Sequence, residues 1–167
     1  EWADVNDLTR YRPADVRALL DVLATGNAVA VVGLSNFGKS TLLRQMAEPQ
    51  VARAYERLTG RPALFVYVDC NRMLQMSAQG FYEAILRAVL ETLEGPLRQR
   101  IEGFYEKVVE APSEFAIPLA FNDAMIALLD ESQPARDVIL LLDEFDSALA
   151  ELDERVFLNH RALKDKY

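Results

Sequence analysis

Apolar and polar positions alternate along the chain in two rhythms, a helical one over most of its length and three short continuous apolar runs. Residues 13–25 open with Pro13, suited to a first helical turn, and set Val16, Leu19, Leu20 and Leu23 at helical spacing, so a helix is predicted that Gly26-Asn27 stops. The run 28–32 follows, rich in β-branched residues, with the pattern of a strand buried on both faces. A helix is predicted from Lys39 and another over about 51–58, broken by Thr59-Gly60-Arg61-Pro62. Residues 63–69 read as a second buried strand and 138–142 as a third. Between them, 72–133 reads as a helical section closed by Gln133-Pro134. Its first stripe is Phe81, Ile85, Val89 and Leu90, its second Leu97, Ile101, Tyr105, Val108 and Val109, and its third Leu119, Met125, Ile126 and Leu129. Breaks are placed at Gly95-Pro96 and Ala111-Pro112, and every stripe is read as core. A last amphipathic helix over about 153–166 uses Val156, Phe157, Ala162 and Leu163. The class is α/β with a mainly parallel sheet.

Composition narrows this picture. The 167 residues are 51% hydrophobic and 26% charged, which excludes a disordered or collagenous chain and fits one domain over 1–167. No apolar run approaches the roughly 20 residues that span a bilayer. The opening Glu1-Trp2-Ala3-Asp4 lacks the basic and apolar parts of a signal peptide, so a cytoplasmic location and no membrane partner are expected. Cys70 and His160 are the only residues of their types, too few for an internal disulfide or a thiolate-rich zinc site. With 18 Lys plus Arg against 26 Asp plus Glu, the net charge of -8 gives no global attraction to nucleic acid. Arg10, Arg12 and Arg17, and Arg98 with Arg100, are read as solvated helix faces.

Chemistry enters between the first apolar run and the Lys39 helix. Gly33-Leu34-Ser35-Asn36-Phe37-Gly38-Lys39-Ser40 satisfies G-x-x-x-x-G-K-[ST] in full, between a predicted strand and a predicted helix. Glycines let such a backbone wrap tightly, so the N–H groups of about 36–41 are expected to face a β-phosphate, helped by the helix dipole. Lys39 supplies a cation to the β- and γ-phosphates, Ser40 a hydroxyl to Mg²⁺, and Thr41 reaches toward the α-phosphate. Phe37 is bulky for this loop, and its side chain must lie outward or over the nucleotide.

The third apolar run ends in Asp143-Glu144, two carboxylates at the carboxyl edge of a sheet, where ligands of open α/β folds bind. Asp143 suits Mg²⁺ through its water shell, and Glu144 suits a general base that orients and polarises an attacking water. Asp69, ending the second run, is expected to cap the next turn, and Cys70 to be a small buried apolar residue. The chain holds no N-K-x-D guanine signature, which favours ATP.

Together these motifs resemble a P-loop NTPase of the additional-strand, catalytic-glutamate division. Tyr11-Arg12-Pro13-Ala14-Asp15-Val16-Arg17-Ala18-Leu19-Leu20 leading into the glycine-rich loop is similar to AAA+-like and STAND signalling ATPases. Val68-Asp69-Cys70-Asn71 and Leu142-Asp143-Glu144-Phe145-Asp146 resemble the same group and the replication-initiator ATPases. The resemblance implies a three-layer, Rossmann-like fold with residues 11–13 near the adenine. It also implies a sensor strand between the phosphate-loop strand and the Asp143 strand, leaving those two about 9–10 Å apart. Direct pairing of the two would point to the GTPase-kinase division instead. Members of the group continue into a sensor strand, an arginine finger and a helical lid, so the chain is expected to be a piece truncated before the sensor strand.

The expected function is a Mg²⁺-dependent ATP-binding and ATP-hydrolysing domain of a signalling or regulatory switch. Hydrolysis is expected to be weak or absent in this piece, with a downstream lid, effector domain or protein partner and, by analogy, homo-oligomerisation. Three rivals stand beside it. A DNA-associated AAA+ ATPase, of the replication-initiator or transposition-helper type, would be favoured by a basic winged-helix segment downstream. A nucleotide-binding scaffold without turnover would be indifferent to Glu144→Gln. A small-molecule kinase fits less well, because an acidic pair after an apolar run suits water activation.

Overall fold

Proline begins α1 (Pro13–Ala24) and lies in the first turn of α3 (Pro49–Thr59) and α5 (Gly95–Val109), where a missing N–H removes no helical hydrogen bond. The computed structural model describes residues 11–33, 38–129 and 136–166, without the side chains of 160 and 163–166. The other elements are α2 (Lys39–Met46), β1 (Ala63–Asp69), a 3₁₀ turn (Cys70–Arg72), α4 (Ala78–Thr92), α6 (Ala116–Leu128), β2 (Asp137–Asp143), α7 (Phe145–Glu151) and α8 (Glu154–Lys166). The architecture is α/β and mostly helical, with β1 and β2 paired in a small parallel sheet.

The described residues form two compact units, one within 1–67 and 134–141, the other within 68–133 and 142–167. The first packs Val16 and Leu20 of α1, Leu42 and Met46 of α2, and Val51 and Tyr55 of α3 around Phe65 and Leu141 of the strands. Each such side chain contributes about 1.5–3 kcal/mol on burial. Tyr55 meets Phe65 edge-on at 5.7 Å and donates its hydroxyl to Asp137 Oδ2 at 2.7 Å. Arg61 Nη2 lies 3.0 Å from the same oxygen, so the start of β2 is held by a charge pair and a hydrogen bond together.

The second unit is a helical layer of α4, α5 and α6 with α7 and α8. Gln79 of α4 donates to the last carbonyls of α5, Val108 O at 2.9 Å and Val109 O at 3.0 Å, which caps that helix from outside. Tyr82 stacks on Phe121 at 4.4 Å. The buried Glu83 carboxylate accepts from Tyr105 at 2.9 Å and faces Arg87 at 3.3 Å, so its charge is paired.

Several sequence expectations are corrected. Residues 28–32 form no strand: they run without regular structure, with Val29 43% and Val32 91% exposed. β-branched residues favour extended backbone, but a ladder needs a neighbour, and no described strand pairs with 28–32. Its expected spacing from 138–142 therefore has no strand to refer to, and β2 pairs with β1 instead.

The third helical stripe is right in part: Met125 is buried and Leu129 half-buried, as expected. Leu119 and Ile126 are exposed, while Ile117, Ala120, Phe121, Ala124 and Leu128 face inward. Apolar residues surround α6, so periodicity cannot choose its buried face; the buried Ala120 and Ala124 are small enough for close approach of its neighbours. The break at Gly95-Pro96 is present, α4 ending at Thr92 and α5 beginning at Gly95, whereas Val109 of the second stripe is 46% exposed. The β2 segment 138–140 is half-buried rather than covered on both faces. In α8, Val156 is buried and Ala162 exposed. Trp2, Arg10, 133–134 and the His160 and Leu163 side chains lie outside the described residues.

Candidate functional site

In the first unit, Lys39 begins α2 and Gly38 precedes it with φ 76° and ψ 22°, a left-handed conformation natural to glycine. A Cβ on Gly38 would lie 2.0 Å from the Tyr11 hydroxyl, so a side chain there would be strained by the left-handed backbone and would have to displace the Tyr11 ring. The Lys39 ammonium donates to the Gly33 carbonyl at 2.7 Å, tying the two ends of the loop. Helical bonding starts with Leu42 N–H to Gly38 O at 2.9 Å, and no side chain caps the helix. The N–H groups of Lys39, Ser40 and Thr41 therefore precede the helical ladder at the positive end of the helix dipole, a natural anion site. Ser40 is half-buried and Thr41 exposed. Leu34, Ser35, Asn36 and Phe37 lie outside the described residues.

In the second unit, Asp143 ends β2 with 6% exposure, its Oδ1 accepting from Glu144 N–H at 3.1 Å. Asp69 caps the 3₁₀ turn as expected, its Oδ1 accepting from Asn71 N–H at 3.0 Å. Cys70 is buried, and its thiol is pushed up to about 11 by burial and then by the charges of Asp69 and Asp143. Both strand-end carboxylates thus stand near one point. Carboxylate oxygens suit a hard cation such as Mg²⁺. Among the described residues no three His, Cys, Asp or Glu side chains gather into a cage, so a cation held here would draw its remaining ligands from water or phosphate.

Glu144 is exposed and left-handed, with φ 53° and ψ 35°. For a residue with a Cβ this conformation costs about 1–2 kcal/mol. The neighbouring Phe145 supplies an anchor, lying 6.0 Å from Phe81 and 5.5 Å from Phe157 by ring centroid. Strain held in place by packing, at a residue that chemistry singles out, is the pattern expected of a functional turn. Arg12, before α1, is the other described non-glycine residue with positive φ, at 50°, and it pairs with Asp15 at 2.5 Å.

The glycine, lysine and hydroxyl positions thus belong to the first unit, Asp143 and Glu144 to the second. Sequence reasoning missed the packing of Tyr11 on Gly38 and the anchoring of Phe145; for the latter, an aromatic directly after the acidic pair was the available signal. Among the described residues no helix is long and apolar enough to cross a membrane. A family model described as an AAA ATPase domain matches residues 11–159. Comparison with curated proteins and with solved structures finds no match.

Proposed function

Because the chain belongs to the AAA ATPase domain family, whose members are P-loop nucleotide-binding domains, we propose that it binds Mg-ATP at residues 33–41 and acts as the hydrolytic switch of a signalling or regulatory protein. The observation that supports this reading is the bond from Lys39 to the Gly33 carbonyl at 2.7 Å, which brings together the first glycine and the lysine of the motif.

The residues suit the ligand. Gly38 holds a left-handed φ that suits glycine, and the N–H groups of Lys39, Ser40 and Thr41 lie in the first turn of α2, where an anion is favoured. Lys39 would neutralise phosphate charge, Ser40 would offer its hydroxyl and Asp143 its carboxylate to Mg²⁺, and Glu144 would take a proton from the water that attacks the γ-phosphate as ADP leaves. Mg²⁺, when bound, spreads the negative charge that builds on the phosphate oxygens. Leu34, Ser35, Asn36 and Phe37 complete the loop by backbone contact, and Thr41 reaches the α-phosphate.

The fold expected to accompany this function is the three-layer, Rossmann-like one that the resemblance implies. A lid or effector domain, and assembly with further copies, would convert nucleotide state into a change of contacts.

Calorimetric titration of Mg-ATP and Mg-GTP, with phosphate release followed in parallel, tests the reading. ATP should bind in preference to GTP, binding should vanish in Lys39→Ala, and any release should fall in Glu144→Gln. Binding without release would make the chain a nucleotide holder whose chemistry needs another part. No binding by the folded chain would refute the site.

A further inference from the structure

Helix α6 carries apolar residues on two sides. Its inner face is buried, yet Phe115, its N-terminal flanking residue, is 86% exposed, with Leu119 65% and Ile126 39% exposed. At about 100° per residue these three fall within about 40° of one another, so they form one solvent-facing ridge rather than scattered surface residues. Beside the ridge lies an open groove of about 380 Å³, formed where the end of α5 meets the start of α6. Pro112, Ala116, Leu119 and Ala120 give it an apolar lining of mostly small side chains, over which another backbone can approach closely.

The polar lining is biased. Glu110 and Asp123 line the groove against one cation, Lys107, which sits 5.2 Å from the centroid of its own helix's Phe104 ring. Glu106, one turn before Glu110, and Glu114, next to Phe115, are also exposed. An apolar ridge with a carboxylate rim complements an amphipathic helix whose apolar face is flanked by Arg or Lys. The same rim opposes nucleic acid and anionic lipid, and a net charge of -8 works against docking a second copy of this chain.

We propose that the α5–α6 groove docks a basic amphipathic helix of a partner protein. The partner's apolar face covers Phe115, Leu119 and Ile126, and its cations meet Glu106, Glu110, Glu114 and Asp123.

The test is selection of a phage-displayed library of random peptides, roughly 16 residues long and so about four helical turns, on the whole chain, with Leu119→Asp as the counter-selected surface. Enriched peptides should be net positive with apolar residues at helical spacing. A fluorescein-labelled copy should bind the wild type about tenfold tighter than Leu119→Asp, the loss typical of an interface anchor. The double reversal Glu110→Lys, Asp123→Lys should weaken binding by about fivefold, and adding salt to about 0.5 M should shrink that difference. All three positions are exposed, so thermal melting followed by circular dichroism should be unchanged in both variants. Failure to enrich any peptide, enrichment of neutral or acidic peptides, equal binding to both variants, or a Leu119-dependent dimer in sedimentation in place of peptide binding would each overturn the proposal.

Discussion

Replacing Gly80 by alanine sets helix propensity against packing, and packing should win. Gly80 lies in the first turn of α4, where alanine is better than glycine by about 0.5–1 kcal/mol on backbone entropy alone. A Cβ there would stand 1.9 Å from the Gln75 carbonyl oxygen, 2.9 Å from its carbon and 3.2 Å from its nitrogen. These are backbone atoms, so relief requires moving the 73–77 loop. That movement strains the cap in which Ser77 Oγ accepts from Gly80 N–H at 3.1 Å, worth about 1 kcal/mol. Overpacking costs about 1–3 kcal/mol, so the net loss is about 1–3 kcal/mol after the propensity gain is subtracted. Gly103 is the control: it is helical and exposed, with nothing within 4 Å of an added Cβ. Gly103→Ala should therefore stabilise by about 0.5–1 kcal/mol. Urea denaturation at constant m reads both, with Tm moving about 2–4 °C per kcal/mol. Equal or greater stability of Gly80→Ala would refute the clash, and the same sign at both glycines would refute the reasoning.

Tyr55 has its hydroxyl pushed up to about 12, by burial first and then by Asp137, so the folded state keeps a proton that the unfolded chain releases near 10. Its contribution is whole below pH 10 and is lost as pH rises toward 12; denaturation at pH 9 and 11 should show a steeper decline for the wild type than for Tyr55→Phe, and parallel declines would contradict this. Cys70, with its thiol near 11 against an ordinary 9.0, holds about 100-fold less thiolate at neutral pH and is buried. Ellman's reagent should label it only as fast as the chain opens, and rapid labelling of native protein would refute the burial. Asn159 exchanges amide hydrogen bonds with Asn122 at 3.0 and 3.2 Å and donates to the Tyr82 hydroxyl at 3.2 Å. Asn159→Ala strands the Asn122 amide and should cost about 1–3 kcal/mol by thermal melting; an unchanged midpoint would show that water replaces the pair.

Local chemistry settled much of this molecule before any tertiary contact formed. Pro13 and Pro49 start helices because a ring that lacks an N–H suits a first turn, and Gly60 stops one because its φ of 72° is natural to glycine. The glycine-lysine-serine spacing of the loop and the acidic end of β2 are likewise legible, because each depends on residues adjacent in the chain. What depended on neighbours distant in sequence was not legible. Residues 28–32 have strand-like side chains, but a strand exists only when another backbone accepts its hydrogen bonds. Leu119 and Ile126 carry the same apolar signal as the buried Phe121 and Leu128, and only the packing around α6 decides which of them meet water. Gly80 looks like a weak point in a helix until the Gln75 carbonyl is placed against it. Period and composition are properties of one segment, whereas burial, register and close approach belong to pairs of segments, and those only the fold brings together.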